Sequence, residues 1–188
     1  ERSGGTVLAI SPHTRAPIYL GIRRPDGVRV GAFVYLFRCN GPVIAGRDPD
    51  EHRVQVRYGS EASWHAYDHP LAFDPGAVDT TLVLGAHPEA GVFVGLDPVA
   101  YDPLPMGISI EFRDEHVEPA QAEGWFAWER ENRSGRRRGS RGVSGLETLV
   151  AFTPERLLDF LAFEQNAAAL GLDQPLRLRA AERASSMV

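Results

Sequence analysis

The alternation of hydrophobic and polar residues predicts a chain built mainly from β-strands. Residues 51–59 alternate strictly, which is typical of a strand with one face on a core and one face outward. The inward set is Val54, Val56 and Tyr58, and the outward set is Arg53, Gln55 and Arg57. Val28–Asn40 is rich in β-branched and aromatic residues and predicts a buried strand. Thr80–Asp97 has two apolar runs joined by a turn, which predicts a hairpin near the centre of a sheet.

Two segments predict helices. Residues 113–124 form a polar segment that ends at a glycine, and residues 153–171 begin with Thr-Pro-Glu and also end at a glycine. The apolar stripe of the second helix is predicted to contain Leu157, Leu158, Leu161 and Leu170. The residues that follow, 172–188, are predicted to be a polar tail whose end frays.

These elements predict an α+β fold. We expect a mostly antiparallel, partly closed, β-barrel-like sheet of five to seven strands with two flanking helices. The chain has 188 residues, of which 43% are hydrophobic, and this is enough to bury one core. We therefore predict a single domain over residues 1–188, with its core at about residues 28–171.

Composition excludes several classes of chemistry. The basic residues are all arginine, so a P-loop lysine, a Schiff base and a standard lysine-containing nuclease centre are absent. Six histidines occur, but Cys39 is the only cysteine, so neither a metal, nor a cofactor, nor a disulfide is expected. No long apolar run and no signal peptide are evident, so we expect no membrane contact and a cytoplasmic location.

Positive charge is concentrated in one segment, Glu129–Gly142, which we call the arginine loop. It holds six arginines and two glutamates, although the chain has a net charge of −5. Guanidinium groups pair with phosphate oxygens and release counterions, so the arginine loop is a candidate phosphate contact. A solvated insertion explains the same composition. The candidate contacts are Arg133, Arg136, Arg137, Arg138 and Arg141.

Two further segments are candidates for base recognition. The outward set Arg53, Gln55 and Arg57 has the residue types that suit guanine and adenine edges, although an ordinary solvent-facing strand looks the same. Residues 60–79 form a polar and aromatic loop. Its Trp64 and Tyr67 are candidates for stacking on a flipped base, or else they plug an open end of the fold.

The order of the segments resembles a domain of bacterial restriction-system proteins. The matching blocks are DEHRVQVRYG, DTTLVLGAHPEAGVFVGLD, ISIEF with PAQAEGWFAW, and ETLVAFTPERLLDFL, which together cover roughly residues 33–165. Such domains are DNA-binding specificity modules, often joined to an HNH-type or other nuclease domain. The resemblance implies that Arg53 and Gln55 occupy the recognition strand, while His52 stands where a tyrosine is usual.

The leading hypothesis is a non-catalytic DNA-recognition domain of a restriction or modification-dependent system. Its expected partners are double-stranded DNA, modified or not, and a nuclease domain in the same chain or in another chain. Two alternatives stay open: a nuclease or other hydrolase whose active site is not recognisable, and a protein-interaction module whose acidic body binds a basic partner.

Overall fold

A computed structural model describes residues 2–14, 16–40, 46–58, 70–73, 79–104, 106–131 and 145–185. Nine strands and three α-helices lie in these ranges. The strands are Thr6–Ile10 (β1), Ile18–Arg23 (β2), Arg29–Asn40 (β3), Glu51–Arg57 (β4), Thr80–His87 (β5), Val92–Leu96 (β6), Met106–Arg113 (β7), Trp125–Glu131 (β8) and Leu146–Phe152 (β9). The helices are Asp114–Glu123 (α1), Leu157–Leu170 (α2) and Gln174–Ser185 (α3).

Seven strands form one main sheet in the order β1-β2-β3-β5-β6-β9-β8. In the described part of the chain, β3 and β5 run parallel and the other neighbours run antiparallel. The predicted hairpin is β5–β6, and its central position in the sheet is confirmed because both of its strands have neighbours on each side. The α+β class and the mostly antiparallel sheet are confirmed as well.

The prediction of a barrel-like sheet is not confirmed, because the sheet is open. Among the described residues, β1 pairs only with β2, and β8 pairs only with β9. Strands β4 and β7 form an antiparallel ribbon that joins the main sheet only at the end of β3, where Cys39 pairs with Val54. Sequence alternation identifies each strand, but it does not indicate whether the first and last strands meet.

The main sheet is covered on both faces. On one face, the ribbon β4–β7 and α1 enclose a core that includes Val54, Val83, Ile110, Val117 and Leu149. On the other face, α2 and α3 enclose a second core that includes Leu82, Val150, Phe152, Phe160 and Ala181. Sheet and covering elements therefore form three layers, as expected when both faces of a sheet carry apolar residues.

Two glycines let the covering layers approach the sheet closely. A Cβ atom at Gly85 would lie 2.4 Å from Val54 Cγ2 of the ribbon. On the opposite face, a Cβ atom at Gly95 would lie 2.1 Å from the ring of Phe160 in α2. Real Cβ contacts do not become this short, so each glycine fixes the depth at which its layer packs.

The predicted helices are present, with a correction to the second. Gly124 and Gly171 adopt left-handed conformations, at φ 82° and 59°, and end α1 and α2 as predicted. The prediction of the apolar stripe of α2 is partly wrong, because Leu170 is 72% exposed while Phe160 and Phe163 are buried. The leucine pattern missed these rings: Phe160 stacks on Phe152 of the sheet, and both Phe160 and Phe163 contact Trp125 at an angle.

The polar tail is the largest correction to the predicted fold, because most of it forms α3 and packs on the sheet. Trp125 Nε1 donates a hydrogen bond to the carbonyl of Ala181 at 2.9 Å. Arg177 is only 4% exposed, and its Nη2 donates to Glu164 Oε1 at 2.6 Å. The described part of the fold thus has three helices instead of two, and the third is held by these polar contacts together with the buried Ala181 and the partly buried Ala180 and Ala184.

Candidate nucleic-acid interface

The outer face of β4 carries the polar side chains that the alternation predicted. Val54 and Val56 are fully buried beneath the ribbon, whereas Gln55 and Arg57 are exposed and Arg53 is half-buried. In the register of the ribbon, Gln55 lies opposite Ser109 of β7. The outer face of β4 is therefore polar, and it carries in one row the three side chains that were predicted to contact DNA bases.

Arg53 is already engaged by carboxylates. Its Nε donates to Glu51 Oε1 at 2.6 Å, and its Nη2 lies 3.0 Å from Glu111 Oε1 across the ribbon. A guanidinium held by two carboxylates has its charge compensated, and it must give up those contacts to reach a base. Gln55 is thus better placed than Arg53 to contact a ligand.

The end of the ribbon near Glu51 is acidic overall. Arg113 Nη1 donates to both carboxylate oxygens of Asp50, at 2.9 and 3.1 Å, and its Nη2 donates to Asp48 at 3.0 Å. Hydrogen bonds to Asp50 and Asp48 raise the pKa of Arg113. Within residues 46–53 and 111–114, five acidic residues face three arginines, so this end would repel a polyanion.

The opposite end of the sheet collects several loops, and we call it the loop end. Strands β4, β6 and β8 finish there, and β5, β7 and β9 begin there, because each follows its neighbour antiparallel. Strand β4 is antiparallel to β3, which begins at the loop end, so Arg57 is the residue of β4 nearest to that end. Glu131, the last described residue of the arginine loop before residue 145, pairs with Leu146 across β8 and β9 at the same end.

Several predicted contacts lie outside the described residues. These are the arginine-loop residues Arg133, Arg136, Arg137, Arg138 and Arg141, and the stacking candidates Trp64 and Tyr67. The described flanks of the stacking segment are Tyr58, whose ring contacts Tyr35 at 5.7 Å, and residues 70–73. Ala72 donates its amide to the Tyr35 hydroxyl at 2.9 Å, so both flanks meet at one tyrosine of β3.

A buried polar cluster fixes the base of the arginine loop. Glu147 is 1% exposed, and it accepts hydrogen bonds from the Tyr101 hydroxyl and, at 3.1 and 3.2 Å, from Nη2 and Nε of Arg130. Arg130 is the first arginine of the loop segment, but it lies on β8 and pairs with Glu147 in register. The hydrogen bonds between Arg130 and Glu147 hold β8 and β9 together. The other five arginines of the segment remain the candidate phosphate contacts.

A buried chain of histidines links the ribbon to the main sheet, and the sequence did not reveal it. His52 Nε2 lies 2.7 Å from Asp114 Oδ1, and His87 Nε2 lies 2.9 Å from His52 Nδ1. The Ala90 amide lies 3.3 Å from His87 Nδ1 and donates to it. Burial, followed by the neighbouring His52, lowers the pKa of His87. The contacts with Asp114, His52 and Ala90 are all satisfied when each Nε2 donates and each Nδ1 accepts, and Glu89 Oε2 also lies 3.4 Å from His87 Nδ1.

This chain has a structural role in the described part of the protein. Both rings are buried, at 6% and 3% exposure, and His52 stacks on Phe112. His52 and His87 are 35 positions apart in the chain, so their contact could not be predicted from the sequence. Among the described residues, no group of three or more histidine, cysteine, aspartate or glutamate side chains could hold a metal ion.

The fold and this end of the sheet define a class: an α+β domain with an open sheet, two covered faces and an arginine-rich loop at one end. The chain belongs to the Methylase-associated X1 family, whose sequence model matches residues 30–161. The match runs from β3 into α2 and links the protein to methylase- and restriction-associated systems. Comparisons with curated proteins and with solved structures gave no match. In the described ranges, no helix is long and apolar enough to cross a membrane.

Proposed function

We propose that this chain binds duplex DNA for a restriction or modification-dependent restriction system. The proposal depends on where the arginine loop and the end of β4 lie relative to the acidic residues of the ribbon. Glu131 of the arginine loop and its partner Leu146 lie at the loop end, and β4, whose last residue is the exposed Arg57, runs toward the same end. The acidic residues of the ribbon gather at its other end, around Asp50 and Glu51.

Each group of residues has a separate role in the proposal. The arginine loop holds DNA phosphates through Arg133, Arg136, Arg137, Arg138 and Arg141. Gln55 and Arg57 approach base edges, where their side chains have the donors and acceptors that direct readout needs. Arg53 contributes less, because Glu51 and Glu111 already hold its guanidinium.

Recognition of a modified target would add a stacking step. A modified base that is turned out of the duplex needs an aromatic surface, and Trp64 and Tyr67 are the side chains that the proposal assigns to it. Cleavage is left to a nuclease domain in the same chain or in a partner. The methylase-associated family supports this division, because it connects the chain to systems that contain separate DNA-modifying enzymes.

The salt dependence of DNA binding tests the proposal. Fluorescence anisotropy would measure the affinity of the wild-type chain for a labelled duplex of about 20 base pairs, long enough to cover several phosphates. Five phosphate contacts predict a slope of log affinity against log salt of about −4.5. A chain that does not bind duplex DNA at low salt, or whose affinity is unchanged by salt, would contradict the proposal and favour a protein-interaction module.

A further inference from the structure

The ribbon β4–β7 presents one cross-strand pair of neutral polar side chains on its outer face. Gln55 of β4 lies directly opposite Ser109 of β7, and the first is exposed while the second is half-buried. Within the described part of the chain and its contacts, neither the Gln55 amide nor the Ser109 hydroxyl has a hydrogen-bond partner. The pair therefore offers two adjacent hydrogen-bonding groups without first losing a contact inside the protein.

The neighbouring residues separate this pair from the acidic end of the ribbon. The next outward pair in that direction is Arg53 with Glu111, whose side chains are joined at 3.0 Å. Glu51 also holds Arg53, at 2.6 Å, so the charges of this neighbouring pair are already engaged. A neutral pair suits the edges of DNA bases, which offer hydrogen-bonding groups without a net charge, whereas the phosphates call for arginines.

The inner face of the ribbon holds the pair in a fixed position. The inward pair beside it, Val54 with Ile110, is fully buried. Gly85 has no side chain, and this lets Val54 pack directly on β5. A slip of the two strands by one residue would turn the apolar set outward, so packing fixes the register that brings Gln55 and Ser109 together.

The dimensions of the ribbon suit the major groove of B-DNA. Paired strands lie about 4.8 Å apart, and the major groove, about 12 Å wide, admits a two-stranded ribbon. Directly opposite side chains start about 5 Å apart, close enough to reach the two bases of one pair. The close approach of Val54 to Gly85 places the ribbon over β5, which is two strand spacings, or about 10 Å, from β9 beside the arginine loop. Phosphates at the edge of a groove that holds the ribbon would thus lie near that loop.

We propose that the ribbon enters the major groove and that Gln55 and Ser109 together read one A·T pair. Gln55 donates to adenine N7 and accepts from the N6 amino group, which is the bidentate contact that glutamine makes with adenine. Ser109 donates its hydroxyl to O4 of the partner thymine. The inference rests on the DNA-binding function proposed above, and it adds Ser109 as a residue that determines specificity.

Methylation of the adenine would abolish this contact. One hydrogen of the N6 amino group pairs with thymine, and the other points into the major groove. A methyl group on N6 replaces the second hydrogen, so Gln55 Oε1 loses its donor and the methyl group fills the space between them. The ribbon therefore binds unmethylated adenine, and a methyltransferase that acts on N6 makes a product that the ribbon rejects.

Two variants and a control test the pair. Gln55→Leu keeps the approximate size of the side chain but cannot form hydrogen bonds, and Ser109→Ala removes the hydroxyl. Asn166→Ala is the matched control, because it removes an exposed amide from α2. Sequencing the duplexes that each protein selects from a random library measures base preference, and fluorescence anisotropy measures affinity. Melting temperatures close to that of the wild type check that the variants fold.

We expect the wild type to select duplexes with one fixed adenine. Gln55→Leu should lose this preference and bind the selected duplex about tenfold more weakly, and Ser109→Ala should bind it about threefold more weakly. The dependence on salt should be unchanged in both, because no phosphate contact is lost. The wild type should bind the selected duplex about tenfold more weakly when its adenines carry N6-methyl groups, whereas Gln55→Leu should bind both duplexes equally.

Different outcomes distinguish this inference from the proposed function. If the wild type binds duplex without a base preference, or if Gln55→Leu keeps the preference, the ribbon does not read the pair, and binding through the arginine loop stands. If the wild type binds no duplex at low salt, both proposals fail. Should a variant not fold, the wild type alone decides, because an affinity for the methylated duplex that equals or exceeds that for the unmethylated one overturns the inference.

Discussion

Neutralising the arginine loop is expected to weaken duplex binding by about 10⁴-fold at 0.1 M salt, the largest functional effect that we predict. The variant carries glutamine in place of Arg133, Arg136, Arg137, Arg138 and Arg141. Each lost phosphate contact reduces the salt slope by about 0.9, which at this salt concentration is nearly tenfold in affinity. Fluorescence anisotropy over a range of salt concentrations would measure both the affinity and the slope.

The control for this variant is Arg179→Gln with Arg183→Gln, which should bind within about twofold of the wild type because it removes no phosphate contact. Folding should be unaffected in the loop variant, since Arg130 and its contacts with Glu147 are retained. A loop variant that binds duplex as tightly as the control would show that the arginine loop is a solvated insertion.

Replacing Arg177 with leucine is expected to lower the free energy of unfolding by about 3–5 kcal/mol, the largest stability effect that we predict. Arg177 is buried between Glu164, at 2.6 Å, and Asp97, whose Oδ2 lies 3.5 Å from the Arg177 Nε. Without the guanidinium, two buried carboxyl groups lose their counter-charge. Urea unfolding at pH 7 would measure the loss.

The pH dependence of this loss follows from Glu164. Burial raises the pKa of Glu164 to about 7, although Arg177 lowers it. In the variant that lowering is gone, so the folded state keeps the proton while the unfolded state releases it above the ordinary glutamate pKa. The stability of both proteins therefore falls as the pH rises from about 4.5 to 7, but only the variant keeps losing stability above pH 7, so the difference between the two proteins grows above pH 7.

A second variant identifies the source of the effect. Replacing Glu164 with leucine in the Arg177→Leu protein should recover part of the stability, because an apolar pair can substitute for a buried ion pair. Arg179→Leu, on the exposed side of the same helix, should cost less than about 0.5 kcal/mol. A loss below about 1 kcal/mol for Arg177→Leu would mean that α3 is not held by this cluster.

The elements that could be predicted from the sequence are those whose signals are local. The period-two pattern of residues 51–57 correctly gave both faces of β4, and glycines after the apolar runs correctly gave the ends of α1 and α2. These features depend on neighbouring residues alone. The closure of the sheet depends instead on how far the strands twist and where the ribbon leaves β3, and neither has a sequence signature.

Long-range contacts explain what the sequence did not reveal. The sequence predicts a polar tail because Gln174 and Arg177 are polar, but their partners lie elsewhere in the fold: Asp97, just after β6, is 77 positions from Gln174, and Glu164 of α2 is 13 positions from Arg177. Likewise, the outward direction of Arg53 was predictable, while its pairing with Glu111 required the register of β4 against β7.

The position of DNA on the surface tests the account most directly. Titrating isotope-labelled protein with a duplex and following backbone amide chemical shifts would map the contacted residues. The account predicts that the largest shifts among the described residues occur at the loop end, at Arg57, Glu131 and Leu146. Shifts confined to the acidic end of the ribbon, near Asp50 and Arg113, or to the outer surface of α2 and α3, would contradict it.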